Sequence, residues 1–76
     1  MIGENIRRIR TERNMTQVEL AAKSGVSAQL INQVEWGTKG LSVQTLVRIA
    51  KALSCSTDDI LAEEGNDGTF DKRAGS

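Results

Sequence analysis

Apolar residues recur at every third or fourth position along most of the chain, a spacing that places them on one side of an α-helix. In residues 2–13, Ile2, Ile6 and Ile9 share such a face with Arg13. Residues 43–53 carry a broader apolar stripe of the same kind. No segment shows the alternation of apolar and polar residues that is typical of a half-buried strand. The pattern therefore predicts an all-α fold.

Capping residues divide the chain into five predicted helices. Asn14 suits the left-handed turn that would end the first helix. Thr16, followed three residues later by Glu19, has the capping-box spacing and opens the second helix. Gly25 can end that helix because glycine adopts a positive φ without strain. The remaining three helices are each expected to begin after a serine cap: Ser27, Ser42 and Ser56.

The chain is expected to form one small helical domain over residues 1–62, followed by a tail over residues 63–76. The tail, EEGNDGTFDKRAGS, is polar and contains glycine, so we predict that it is disordered. It carries four acidic and two basic residues, whereas residues 1–62 carry eight basic and six acidic ones. The zero net charge of the whole chain therefore conceals a slightly basic domain.

Composition excludes several classes of protein. The sequence contains no run of 18 apolar residues that could span a membrane, and no apolar signal segment follows the N-terminus. A single cysteine cannot form an internal disulfide, which favours a cytoplasmic protein. The absence of histidine removes nearly all zinc sites, and no nucleophile–base pair or phosphate-binding glycine loop is evident. We therefore expect no metal, no cofactor and no enzymatic activity.

The predicted third helix has two chemically different sides. On a helical wheel of about 100° per residue, three apolar residues fall on one side: Leu30, Ile31 and Val34. Three amides fall on the opposite side: Gln29, Asn32 and Gln33. An amide can pair with the N6/N7 edge of adenine in the DNA major groove, and the neighbouring Ala28 could contact a thymine methyl group. Taken alone, the same amides could also be ordinary solvated surface residues.

The spacing around these amides decides between the two interpretations. Residues 16–37 resemble the helix-turn-helix of the lambda-repressor-like family, which includes phage repressors, Cro proteins and many bacterial regulators. The resemblance rests on ten positions: Thr16, Gln17, Leu20, Ala21, Gly25, Val26, Ser27, Ile31, Glu35 and Gly37. It extends to IRRIR at 6–10 and to LVRIAKALSCSTDDIL at 46–61. It implies a compact five-helix DNA-binding domain in which helices 2 and 3 form the helix-turn-helix.

The resemblance also implies roles for individual residues. Base contacts are expected from the third helix and its cap: Ser27, Ala28, Gln29, Asn32 and Gln33. Phosphate contacts are expected at the start of the second helix, in the loop after the third and at the cap of the fourth: Gln17, Thr38, Lys39 and Ser42. A partly buried ion pair is expected between Arg10 and Glu35.

The function that follows is a sequence-specific transcriptional regulator, a repressor or autoregulator, that binds a near-palindromic operator as a homodimer. Ile60 and Leu61 are the expected dimer surface. Trp36 departs from the family pattern, where a polar residue is usual, and we expect it to be partly exposed in a packing or interface role, with DNA-backbone contact as another possibility. The alternative function is a protein-binding module, an antitoxin or regulator partner, with little or no DNA contact.

Overall fold

The computed structural model describes residues 2–62, and within that range it contains five α-helices and no strand. The helices are α1 (Ile2–Glu12), α2 (Gln17–Ser24), α3 (Ala28–Glu35), α4 (Val43–Leu53) and α5 (Thr57–Leu61). The predicted all-α, five-helix fold is thereby confirmed. None of these helices is both long and apolar enough to cross a membrane. The predicted tail, residues 63–76, lies outside the described residues.

Side-chain caps fix where the helices begin. Thr16 Oγ1 accepts a 3.0 Å hydrogen bond from the Glu19 amide, and Glu19 Oε1 accepts a 2.8 Å bond from the Thr16 amide. Ser27, Ser42 and Ser56 cap the next three helices, each accepting a backbone N–H through its hydroxyl oxygen, and Ser56 forms a second capping box with Asp59. Gly25 ends α2 with φ of 73°. The capping residues that the sequence indicated therefore set the boundaries of the helix-turn-helix.

The core forms where the five helices meet. α2 packs against α4, α3 packs against α1 and α2, and α5 packs against α1 and α4. The buried apolar residues come from all five helices and the turn before α3: Ile6, Ile9, Leu20, Val26, Ile31, Val34, Ile49, Ala50, Leu53 and Ile60. The other four helices thus form a support, and α3 packs on this support through its apolar side.

The apolar faces predicted for α1 and α4 differ from the faces that these helices bury in the structure. In α1, Ile2 is 40% exposed and Arg13 lies beyond the end of the helix at the surface. The buried side of α1 includes Gly3 and Asn5 instead, because α3 packs against it there. The approach is so close that a Cβ on Gly3 would collide with the Val34 carbonyl oxygen. In α4, the apolar stripe is wider than the contact with its neighbours, so Val43 remains 76% exposed.

The prediction for the dimer surface is wrong for one of its two residues. Ile60 is fully buried in the core, whereas Leu61 is 44% exposed. α5 has only five residues and packs against both α1 and α4, so its single inward position is taken by Ile60. A residue that completes the core of one subunit is not available to a second subunit.

Candidate nucleic-acid interface

The two sides of α3 differ in burial as the helical wheel predicts. Ile31 and Val34 are buried at 0% and 3% exposure, and Leu30 packs partly against the core. On the other side, Gln29 and Asn32 are exposed, while Gln33 is half-buried. Ala28 is also half-buried at the first position of the helix. The exposed side of α3 therefore presents neutral hydrogen-bonding groups rather than charges.

Gln17, the first residue of α2, connects the exposed amides to the interior. Its Oε1 accepts a 3.3 Å hydrogen bond from Asn32 Nδ2, and its Nε2 donates a 3.0 Å bond to Glu35 Oε1. Both ends of the Gln17 side chain are therefore engaged within the protein. The second N–H of Gln17 Nε2 and the backbone amides of the first turn of α2 are the groups that can still meet an anion there.

Arg10 and Glu35 form the buried end of this network. Arg10 Nε lies 2.7 Å from Glu35 Oε2, and Arg10 Nη2 donates to Glu35 Oε1 at 3.0 Å, so the pair is bidentate. Arg10 Nη1 also donates to the Met15 carbonyl oxygen at 2.8 Å. The side chains are only 14% and 2% exposed. The hydrogen bond to Glu35 raises the pKa of the Arg10 guanidinium above its ordinary value, so the arginine stays charged.

Among the four residues predicted to bind phosphate, the structure distinguishes three situations. Lys39 is exposed in the loop after α3. The hydroxyl protons of Thr38 and Ser42 have acceptors inside the protein: Thr38 Oγ1 donates to the Gln33 carbonyl oxygen at 3.1 Å, and Ser42 Oγ donates to Thr45 Oγ1 at 2.9 Å. Gln17 uses its carbonyl oxygen and one N–H on two side-chain partners and keeps a second N–H. Lys39 is therefore the one long cationic side chain of this set that reaches into solvent.

Three features of the site were not indicated by the sequence. Asn5, only 2% exposed, donates to the carbonyl oxygens of Ile60 and Ala62 at 2.8 and 2.6 Å and so ties α5 to α1. Gly3 allows the close contact of α1 with α3. The Arg7 guanidinium lies over the Trp36 ring, 5.9 Å from its centroid. Each of these contacts depends on how two helices pack together. Of the three residues, only Gly3 could have suggested from the sequence that two helices approach closely.

Within residues 2–62, no three His, Cys, Asp or Glu side chains gather into a group that could hold a metal ion. The half-buried Cys55 is not set up as a reactive thiol. Burial, and then the nearby Asp59 carboxylate, raise the pKa of the Cys55 thiol above its ordinary value. The thiol is therefore kept in its protonated, less nucleophilic form near neutral pH.

The geometry matches a known family over most of the chain. The helix-turn-helix family model matches residues 6–60, which include α2, α3 and the turn between them. The chain belongs to the helix-turn-helix family. A relative of 39% identity over 56 residues, an uncharacterized HTH-type transcriptional regulator of Sinorhizobium fredii, is matched over 74% of this chain and 73% of its own length.

Other helix-turn-helix relatives extend the comparison. The control protein C.SmaI of Serratia marcescens is 34% identical over 65 residues, which span 86% of this chain and 77% of that protein. The N-terminal DNA-binding domain of SinR from Bacillus subtilis has a TM-score of 0.80 at 30% identity, covering 86% of this chain and 96% of that one. SinR in complex with DNA matches with a TM-score of 0.78, also at 30% identity, over 82% of this chain and all of that one (100%). The chain is a DNA-binding transcriptional regulator of this family and not an enzyme.

Proposed function

We propose that this helix-turn-helix protein binds a near-palindromic DNA site as a homodimer, with α3 of each subunit in the major groove. By doing so it represses the transcription of target genes or regulates the transcription of its own gene. It would do so in the cytoplasm of a prokaryotic host, either from the host genome or from a phage. The observation that carries the proposal is the division of α3. Its apolar side is buried in the bundle, and its amides face outward from a rigid support.

Sequence readout is assigned to the outward amides, Gln29, Asn32 and Gln33, with Ser27 and Ala28 at the start of the helix. Ser27 Oγ already accepts from the Leu30 amide, but its proton remains available to a base acceptor. Each amide that pairs in a bidentate manner with adenine contributes about 1–3 kcal/mol of discrimination. Since these groups are uncharged, they add selectivity without adding non-specific attraction to phosphate.

Backbone contacts are assigned to the first turn of α2, to the loop after α3 and to the first turn of α4. The exposed Lys39 supplies charge in this loop. At the starts of α2 and α4, free backbone amides and the helix dipole favour a phosphate even though the Gln17 and Ser42 side chains are engaged. About three to five phosphate contacts per subunit predict a dependence of log K on log salt with a slope near −5 to −9 for a dimer.

Dimerisation is proposed because one α3 contacts too few base pairs for useful specificity. Two subunits would place their helices in successive major grooves, about 34 Å apart. Leu61, which is 44% exposed, is available for this contact. The exposed Val43 and Val47 of α4 are further apolar candidates for the same interface, at 76% and 38% exposure.

Selection of bound duplexes from a random pool, followed by anisotropy titration of the selected site, tests the proposal. The selected sites should show two-fold symmetry, with half-sites about one helical turn apart. Replacing both Gln29 and Gln33 with alanine should abolish the preference for the selected site, while helicity measured by circular dichroism stays the same. Thr11→Ala is the control, because Thr11 is an exposed, uncharged side chain on α1 that the proposal does not place at the DNA.

The control variant should bind the selected duplex as the unaltered protein does. If the selected-site preference survives loss of both glutamines, the amides of α3 are not the residues that distinguish bases. If the unaltered protein selects no duplex at all, the protein-binding alternative becomes the better description.

A further inference from the structure

Trp36 lies in line with the amide side of α3. It is the C-cap residue, but its φ of −85° and ψ of −5° keep it in helical geometry. On the same wheel it falls at roughly 180° from Ser27, between the directions of Asn32 and Gln29. The residue is 69% exposed, so little of it serves packing in the monomer. A large, exposed aromatic residue therefore continues the DNA-facing side of α3 at its C-terminal end.

Arg7 of α1 provides a cation at this point. Its guanidinium carbon lies 5.9 Å from the centroid of the Trp36 ring, within the range of a cation–π interaction. The cation–π contact favours a guanidinium that stays beside the ring and leaves its N–H donors for an anion. The indole Nε1–H is a further donor beside them. The two residues together present several donors and one positive charge.

We propose that Arg7 and Trp36 form a clamp for one DNA phosphate at the place where α3 leaves the major groove. This inference rests on the proposed function. The C-terminal end of a helix carries partial negative charge and disfavours an approaching phosphate. A cation supplied from another element is therefore needed there, and Arg7 supplies it. α1 meets α3 at its C-terminal end, where Gly3 approaches Val34 and Arg7 approaches Trp36, so Arg7 lies at the opposite end of α3 from the Ser27 cap.

A phosphate clamp has a different signature from a base contact. Contacts to phosphate position the protein but do not distinguish sequences. Loss of one such contact makes the slope of log K against log salt shallower by about 0.9 in each subunit, or about 2 for a dimer. Binding to specific and non-specific duplexes should weaken by a similar factor, on the order of tenfold per subunit at low salt.

The test compares Arg7→Ala with Arg8→Ala in salt-dependent anisotropy titrations against the selected duplex and a scrambled one. Arg8 is the matched control, because it is also on α1 but faces Glu12, 3.6 Å away, instead of Trp36. Arg7→Ala should make the slope of log K against log salt shallower by about 2 and leave the ratio of specific to non-specific affinity unchanged. Arg8→Ala should leave the slope and the ratio close to those of the unaltered protein.

Trp36→Phe keeps a ring beside Arg7 but removes the N–H donor, so it should weaken binding to both duplexes with a smaller change in slope.

Intrinsic fluorescence gives an independent measurement, since Trp36 is the only tryptophan in the chain. Its emission should change in proportion to bound duplex and saturate at the stoichiometric point. The clamp is refuted if Arg7→Ala binds both duplexes with unchanged slope while the unaltered protein still prefers its selected site. If Arg7→Ala loses only the preference for the selected site, Arg7 contacts a base and the clamp is equally wrong. If the unaltered protein binds no duplex, the proposed function and the clamp both fail.

Discussion

Replacing Glu35 with alanine should strongly destabilise the fold. The substitution removes the carboxylate that binds Arg10 through two oxygens at 2.7 and 3.0 Å. It leaves a guanidinium that is only 14% exposed with the Met15 carbonyl oxygen as its remaining described partner. It also removes the acceptor for the Gln17 side chain. The variant therefore loses interactions from three elements: α1, α2 and α3.

The expected cost follows from this burial. Breaking a buried ion pair by removing one partner costs about 3–5 kcal/mol, whereas an exposed pair is worth about 0–1 kcal/mol. The Glu35 side chain is 2% exposed, which places the pair in the first class. A domain of this size has a total stability of roughly 3–9 kcal/mol. A loss of this order removes a large part of that stability.

Urea denaturation followed by circular dichroism measures the effect, and a double-mutant cycle isolates it. Arg10→Met and Glu35→Leu together should be less destabilising than the sum of the two single substitutions, since neither charge is then left buried alone. A loss below about 1 kcal/mol for Glu35→Ala would show that the pair behaves as an exposed one. The structural role assigned to Glu35 would then be wrong.

Two further substitutions test contacts in the fold. Gly3→Ala should destabilise by about 1–3 kcal/mol, because its Cβ would lie 2.1 Å from the Val34 carbonyl oxygen, whereas Gly40→Ala meets nothing within 4 Å and should be close to neutral in the same denaturation assay. Asn5→Ala removes hydrogen bonds to the Ile60 and Ala62 carbonyl oxygens and should cost about 1–3 kcal/mol. Hydrogen exchange should then accelerate in α5 more than in α2, and uniform acceleration would contradict the specific link.

The sequence predicts local features well because their causes are local. The Thr16–Glu19 capping box and the serine caps depend on residues three positions apart, and both appear where the sequence indicates them. The division of α3 into two sides follows from helical periodicity in the same way. By contrast, Ile60 and Leu61 are adjacent apolar residues, and only the docking of α5 decides that Ile60 is the buried one.

Contacts between helices are harder to predict for the same reason. Asn5 is a polar residue on α1, and nothing near it in sequence indicates that its amide binds two carbonyl oxygens some 55 residues away. The cation–π contact of Arg7 with Trp36 likewise depends on how α1 packs against α3. The Arg10–Glu35 pair was expected only through the family resemblance, since residues 25 apart give no local signal.

The hydrogen bond from Asn32 to Gln17 has a consequence for DNA recognition. It uses one amide hydrogen of Asn32 and leaves one N–H and the carbonyl oxygen, which are the two groups that pair with adenine. Gln17 is itself fixed by the buried Glu35, so the orientation of the Asn32 amide is set before DNA binds. Within the described residues, no side-chain hydrogen bond holds Gln29 or Gln33, and each must lose rotamer freedom, up to about 2 kcal/mol, on binding. In the proposed complex, Asn32 would therefore contribute its discrimination at the lower entropic cost, and the buried ion pair would act on recognition through the two amides that connect it to the surface.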